Sequence, residues 1–405
     1  MKNEKKTVPV LIGGDLNAYS VARAFFEAER IKSRVFMRYK TGICSHVGFM
    51  KNTVNSELCR AEVLKRVLLD YAKAQVGERP LLVPCADWYT ELLEALRGEL
   101  SQDYYLFIPP YEVWRRLKDK AEFYSLLDER ALPHPESLAF GRGDLGAMGC
   151  LSIPYPAVLK PSDSAEYWKY HFEGMRKVYF PKSREEAEEI AKQIFDAGYE
   201  GKLILQRYIG KREEELEVLT VYLDRTGEPC RAVLAEVLLE ECGPTARGNH
   251  AALVTKPLDA LSLSLIKMLK DIGYRGIANF DIIKDGERKY LLECNTRQGR
   301  SCDYLLAAGV NIAALMLADM RGERIEPCFE YPEIYWHSAP HESVVRHAFD
   351  KALLSRAERA LMRGDGYTPF DDTAHCKSSP LRRAYLALHE RRQRRVFDKY
   401  PQGDR

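Results

Sequence analysis

The segment from Asn279 to Arg297 constrains this chain most, because it sets two carboxylates inside an apolar β pattern. It reads NFDIIKDG at 279–286 and KYLLECNTR at 289–297. The β-branched and aromatic runs predict two strands joined near Asp285-Gly286. Burying Asp281 and Glu293 without a partner is costly, so a cation is expected beside them. Hard oxygen ligands of this kind suit Mg²⁺, which is commonly held by one or two carboxylates plus substrate phosphates. Strand periodicity puts Glu293, Asn295 and Arg297 on one face, and Cys294 between them should face the core. Asp281 joins that face only if it pairs nearly opposite Glu293. That pairing requires a three-residue loop, Gly286-Glu287-Arg288, or a bulge. A two-residue loop at Asp285-Gly286 sets Asp281 opposite Tyr290 instead, about 10 Å along the strand.

Composition narrows the setting. The chain has 405 residues, too many for one ordinary core, so two or three packed units are expected. A net charge of +2 argues against bulk nucleic-acid binding, which usually needs a basic domain. No apolar run reaches the roughly 18 residues of a membrane span. Leu305 to Ala318 is the longest candidate, interrupted by Asn311, and reads as a buried helix. The apolar stretch Val8 to Ile12 is too short for a signal-peptide core, so a cytoplasmic globular protein is expected. The 10 cysteines are scattered, with no zinc-type spacing, and read as small buried hydrophobes.

The front of the chain alternates strand and helix, which predicts a mainly parallel sheet in an α/β unit. Val8 to Ile12 is a strand, ended by Gly13-Gly14, with Asp15 capping a helix. The pattern does not fit G-x-G-x-x-G, so the glycines read as a tight turn. A helix amino terminus there can still hold a substrate carboxylate, which makes Asp15 and Asn17 candidate substrate contacts. Further on, Leu117 to Glu129 reads as a helix, Ala157 to Lys160 and Leu203 to Gln206 as strands, and Ser183 to Ala197 as a capped amphipathic helix.

With those residues in place, the chain resembles the ATP-grasp ligases. The metal end is ECNTR at 293–297 with Asp281 on the preceding strand. Lys120, or its neighbour Lys118, stands where such ligases carry a first nucleotide-binding lysine, and Lys160 looks like the second. QRYIG at 206–210 resembles the hinge that meets adenine, through Gln206, Tyr208 and Ile209; the acids from Glu213 to Glu217, Glu214 and Glu217 among them, would meet the ribose. The loop SDSAEYWK at 162–169, with Ser164, is not the usual glycine-rich phosphate loop. It is similar to that of the carboxylate–amine ligases that include the D-aspartate ligases of cell-wall synthesis.

The resemblance implies an α/β (α+β) ATP-grasp fold. Residues 1–112 would form an N-terminal pre-ATP-grasp α/β domain and 113–208 a central subdomain. Residues 209–330 would form a C-terminal subdomain with the metal site, and 331–405 a helical extension. It implies ATP with Mg²⁺ or Mn²⁺ as cofactors, the metal on Asp281, Glu293 and Asn295. ATP would phosphorylate an amino-acid carboxylate, and an amine would attack the acylphosphate. The leading donor is D-aspartate and the acceptor a nucleotide-linked peptidoglycan precursor; another small amide, a dipeptide, or a non-catalytic ATP-binding regulatory module are the alternatives. Arg297 and Arg300 would stabilise the transferring group and clamp a carboxylate, in roles that can be exchanged. Arg247 and His250, in a glycine-flanked loop, would contact substrate or act on the amine proton. After Pro380 the chain is arginine-rich. It reads as an amphipathic helix docked through Leu381, Tyr385 and Leu388 with a solvated basic face, with weak membrane-surface attraction as the secondary reading.

Overall fold

The computed structural model describes residues 7–75, 79–149, 153–209, 215–243, 246, 248–371 and 379–400. The chain divides into two compact units, one of residues 1–110, 212–279 and 296–405, the other of 111–211 and 280–295.

The first unit contains a five-stranded parallel sheet, in the order Met50–Val54, Ser33–Met37, Pro9–Ile12, Leu81–Pro84, Tyr105–Leu106. The central strand Pro9–Ile12 is buried throughout. It ends at Gly13, whose φ is +148° and where a Cβ would stand 2.8 Å from the Cβ of Cys85. The glycine is therefore required by close approach of the neighbouring strand. Asp15 then caps the helix Leu16–Glu29 by accepting from the Ala18 amide.

The second sheet of this unit runs from the start of strand Gly276–Asp285 through Leu216–Leu223, Pro229–Glu240, His250–Lys256, Tyr335–His337 and Gly366–Tyr367. Pairing between Pro229–Glu240 and His250–Lys256 is antiparallel, with register shifts at Val237/Leu239 and Leu239/Glu240. Such shifts re-aim a strand end, and Glu241 follows directly. The expected helical extension contains the helices His341–His347, Lys351–Arg363 and Pro380–Lys399, and also two short strands that join this sheet. Among the described residues no helix is long and apolar enough to cross a membrane.

Several local expectations are corrected. The run Leu305 to Ala318 is two helices, Asp303–Ala307 and Ile312–Arg321, because Gly309 at φ +89° ends the first and Asn311 caps the second. The Asn311 side chain accepts from the amides of Ala313 and Ala314 and donates to Ala24 O at 3.0 Å. The final helix does not dock through Leu381 and Leu388, which are exposed; Arg382 is fully buried instead, with Phe397.

The second unit holds a three-stranded antiparallel sheet with Leu203–Arg207 between Ser137–Phe140 and Ala157–Pro161. Leu159, Leu203 and Leu205 face a core completed by Ala187, Ala191, Ile194 and Phe195 of the helix Arg184–Asp196. Alternation leaves Lys160, Ile204 and Gln206 on the other face. The helix expected from Leu117 to Glu129 is broken: Tyr111–Lys118 ends, and Asp119 caps Lys120–Glu129 through the amides of Ala121 and Glu122. The acidic hairpin is Gly276–Asp285 followed by Arg288–Asn295. Its loop is Gly286 and Glu287, neither of the loops foreseen; Gly286 takes the positive φ, +62°, that a tight turn demands.

Replacing Asn311 by Ala removes a cap and a long-range hydrogen bond, so we expect a loss of about 1–2 kcal/mol in stability. A lowered thermal midpoint checks it; an unchanged midpoint would show that the cap contributes nothing.

Candidate active site

The second unit brings one group of expected residues together. Lys120, at the first position of its helix, is fixed by its amide, which donates to Ser162 O at 3.2 Å. Its Nζ lies 3.2 Å from Glu293 Oε2. Lys118 points elsewhere, to Asp163 Oδ2 at 2.9 Å. The helix break at Asp119 thus separates the two competing lysines.

Lys160 is buried beside them. Register places Val158 opposite Gln206, so Lys160 and Gln206 share a face. Lys160 Nζ donates to Gln206 Oε1 at 3.0 Å and to Tyr124 Oη at 3.1 Å. Gln206 Nε2 donates to the same hydroxyl at 2.9 Å, and Tyr124 donates to Leu292 O at 2.8 Å. The ring of His134 stacks on Tyr124 at 4.8 Å. Burial, then repulsion from Lys120, pulls the Lys160 pKa down to about 7. The carboxyl of Glu293 is held well below the usual range, first by Lys120 and further by Lys177 and Lys160. Burial pushes Tyr124 up to about 12, so it stays a hydroxyl donor.

Asn295 Nδ2 lies 3.4 Å from Asp281 Oδ2, a long contact. Two carboxylates and an amide on one hairpin form a hard donor set. Among the described residues no three His, Cys, Asp or Glu side chains gather into a metal cage. Such an incomplete set fits Mg²⁺, which keeps waters and takes phosphate oxygens as further ligands. Cys294 is buried, and its thiol is pushed well above its ordinary pKa by burial, as a core residue's would be.

The loop after Lys160 lacks glycines and is held by rings. Tyr167 is buried, stands at 90° to Tyr199 with centroids 5.6 Å apart, and shares a 2.7 Å hydrogen bond with the Tyr179 hydroxyl. Ser164 begins a single helical turn, Ser164–Tyr167. Tyr208 packs edge-on to Phe180 at 5.6 Å, and Ile209 is buried. Glu214 and Arg247 lie outside the described residues.

The first unit holds a second group. Arg297 grips Asp87 with two hydrogen bonds, 2.6 and 2.5 Å. Arg300 pairs with Glu241. Burial raises the pKa of Asp15, and Arg300, the helix amide of Ala18 and Arg297 oppose that rise. His250 Nδ1 is 3.4 Å from Ser301 Oγ, and burial brings its pKa to about 4. An imidazole that weakly basic is poorly matched to taking an ammonium proton near neutrality, so a neutral hydrogen-bonding role fits it better. Asn17 is committed internally: it is buried and donates to Gln298 O at 3.0 Å. Glu217 is also buried, paired with Lys256 at 2.8 Å, and a ribose contact would have to open that pair.

Sequence reasoning missed Tyr124, His134, Lys177, Asp87 and Glu241.

No family model matches the chain. It is 31% identical to D-aspartate ligase of Enterococcus faecium over 326 residues, covering 77% of this chain and 76% of that protein. Among solved structures it is similar to the biotin carboxylase domain of the Hydrogenobacter thermophilus 2-oxoglutarate carboxylase, solved with MgADP, ADP and bicarbonate. The TM-score is 0.62 at 17% identity, over 82% of this chain and 74% of that one. An ADP complex of N5-carboxyaminoimidazole ribonucleotide synthetase gives 0.60 at 14% identity, over 84% of each chain. At such identities the two structures bear on the fold alone.

With Lys160 depressed to about 7, polyphosphate binding at this lysine would be proton-linked. At pH 8 the free lysine is largely neutral, and phosphate favours its charged form. Calorimetry in buffers of different ionisation heat should find proton uptake on ATP binding at pH 8 that fades by pH 6. Lys160→Met should abolish the uptake; equal uptake in that variant would assign it elsewhere.

Proposed function

The chain belongs to the ATP-grasp carboxylate–amine ligases, the family of D-aspartate ligase, and on that premise we propose that it joins D-aspartate to the side-chain amine of a peptidoglycan-precursor stem peptide, releasing ADP and phosphate. The observation that carries the reading is the pair of lysines, Lys120 and Lys160, gathered at Glu293 on the hairpin that also bears Asp281 and Asn295. Two cations around one carboxylate leave positive charge that a polyphosphate neutralises.

Phosphoryl transfer asks a protein chiefly for positioning and charge neutralisation. Lys120 and Lys160 hold ATP phosphates as point charges. Lys160 is aimed by Gln206 and Tyr124, so it offers its ammonium without a search through rotamers. Tyr208 and Ile209 offer an apolar edge for the base. Asp281, Glu293 and Asn295 would hold Mg²⁺, which would supply charge neutralisation for the phosphates. Lys120, which pairs with Glu293, would then be available to a phosphate.

Arg297 and Arg300 follow Asn295 by two and five residues along the chain. Their guanidinium forks suit a carboxylate and an acylphosphate, and Asp87 and Glu241 keep both forks oriented. Asp15 offers a negative group for an ammonium. The exposed Leu381 and Leu388, set among arginines, suit weak attraction to an anionic bilayer. Flotation with anionic vesicles checks that part, and equal flotation after both leucines become Ser would remove it.

The reaction is tested by Mg²⁺-dependent ADP release over a panel of D- and L-amino acids, each with and without an amine acceptor. Release that requires both an amino acid and an amine supports the ligase; ATP binding without release under any combination contradicts it. Glu293→Ala should cost about 100-fold or more in turnover, and full activity in that variant would defeat the metal assignment.

A further inference from the structure

The first unit contains a cavity of about 130 Å³, lined by the edge strand Tyr105–Leu106 of the parallel sheet and the residues that follow it to Pro109. Three arginines share that lining: Arg225, Arg275 and Arg297. Arg297 is balanced by Asp87. Arg225 and Arg275 form no ion pair among the described residues. Asp319 is the one carboxylate among the described residues of the wall, and it is already engaged. It is buried, its Oδ1 accepts from the Arg225 amide at 2.7 Å, and its Oδ2 accepts from the Tyr222 hydroxyl at 3.2 Å. The cavity thus carries two guanidinium charges that no carboxylate of the unit answers.

The fold fixes where both charges stand. Arg225 lies in the turn between the strands Leu216–Leu223 and Pro229–Glu240, held by its amide bond to Asp319. Its guanidinium packs on the end of the helix Ile312–Arg321: a Cβ on Gly322 would fall 2.8 Å from Nη2 and 3.1 Å from Cζ. Arg275 is presented by the residues around it. Tyr274 is fully buried and donates to Ile277 O at 2.6 Å. A Cβ on Gly276 would stand 3.6 Å from Phe107 Cζ, so the start of that strand lies close on the ring. Phe107 in turn stacks on Tyr222 at 6.0 Å. One side of the cavity is therefore apolar and the other cationic. Tyr105 adds a hydroxyl: burial, then Asp319, raises its pKa, and Arg225, Arg79 and Arg275 oppose that rise. It stays protonated near neutrality and can donate beside the arginines.

We propose that this cavity is a second anion site, one that binds the phosphate group of a small ligand through Arg225 and Arg275. The lysines assigned above to ATP, Lys120 and Lys160, belong to the other unit, so the two sites share no residue. Two guanidinium forks on one cavity favour phosphate over carboxylate. A carboxylate is matched by a single fork, whereas the oxygens of a phosphate take N–H donors from both. The volume admits more than a single water. The apolar side at Phe107 and Pro109 suits the organic part of a phosphate ester, and free phosphate is the other source of the same chemistry.

The test uses the full-length protein. Calorimetric titration with phenyl phosphate, and separately with inorganic phosphate, compares wild type with Arg225→Gln, Arg275→Gln, Lys160→Met and, as an exposed arginine elsewhere, Arg383→Gln. We expect each cavity variant to weaken phosphate binding about tenfold or more, the loss of charge-assisted hydrogen bonds. Lys160→Met and Arg383→Gln should stay near wild type. Tighter binding of phenyl phosphate assigns the cavity to an organic phosphate; equal binding of the two, with the same dependence on both arginines, assigns it to free phosphate. A check without variants is arginine labelling of wild type by phenylglyoxal, read by mass spectrometry. Phenyl phosphate should protect Arg225 and Arg275 and leave Arg383 reactive. No phosphate binding by wild type, unchanged binding in both cavity variants, an equal loss in Arg383→Gln or Lys160→Met, or unprotected Arg225 and Arg275 would each overturn the proposal.

Discussion

The ion pair of Lys120 with Glu293 is the interaction on which the candidate site of the second unit turns. It joins the start of a helix to the last strand of the acidic hairpin, and it lies beside a buried lysine with no carboxylate in its own hydrogen-bond ring. A carboxylate among three lysines is strongly stabilised, and its pKa falls accordingly. The lysines are not equally stabilised in return. Lys160 shows this directly, losing proton affinity to burial and to Lys120. Such an arrangement is poised for added negative charge. On the proposed reading, a divalent ion held by the carboxylate and phosphates held by the lysines would together restore balance.

The fold sets this arrangement by simple means. Antiparallel register puts Lys160 and Gln206 on one face of a three-stranded sheet whose other face is a leucine and aromatic core. Asp119 ends one helix direction and begins another, so that Lys120 leaves the solvated run of basic residues before it. Tyr124, one turn later, closes the ring with Lys160 and Gln206 and ties it to the hairpin backbone at Leu292. In the first unit the same economy recurs. Arg297 and Arg300 are each held by a carboxylate of the same unit, the exposed Asp87 and the buried Glu241, which keeps the guanidinium forks ordered and their charge moderated.

Much of this was legible in the sequence. Asp281 and Glu293 stood out because charge inside an apolar β run demands a partner, and Lys160 because it ends such a run. The parallel front sheet followed from strand–helix alternation, and the Asp15 cap from its place after the glycines. What escaped was whatever depends on partners distant in the chain. Tyr124 and Glu241 look like ordinary core and strand-end residues until their partners, 82 and 59 positions away, are known. The hairpin loop was misjudged by a residue because strand pairing, rather than the Asp-Gly signal alone, decides where the turn falls. The final helix was misread for a subtler reason. Apolar residues normally choose the buried face, yet here a guanidinium is buried, because backbone carbonyls at Gly42 and Ile43 and two tyrosine rings satisfy it better than Leu381 or Leu388 could.

The central claim is that this charge arrangement drives phosphoryl transfer to a carboxylate. Heavy-oxygen label in the carboxylate of the amino-acid donor tests it most directly. The account predicts that one labelled oxygen per turnover appears in the released phosphate, because the acylphosphate breaks with its bridging oxygen leaving on phosphorus. Turnover that releases phosphate without label would contradict it.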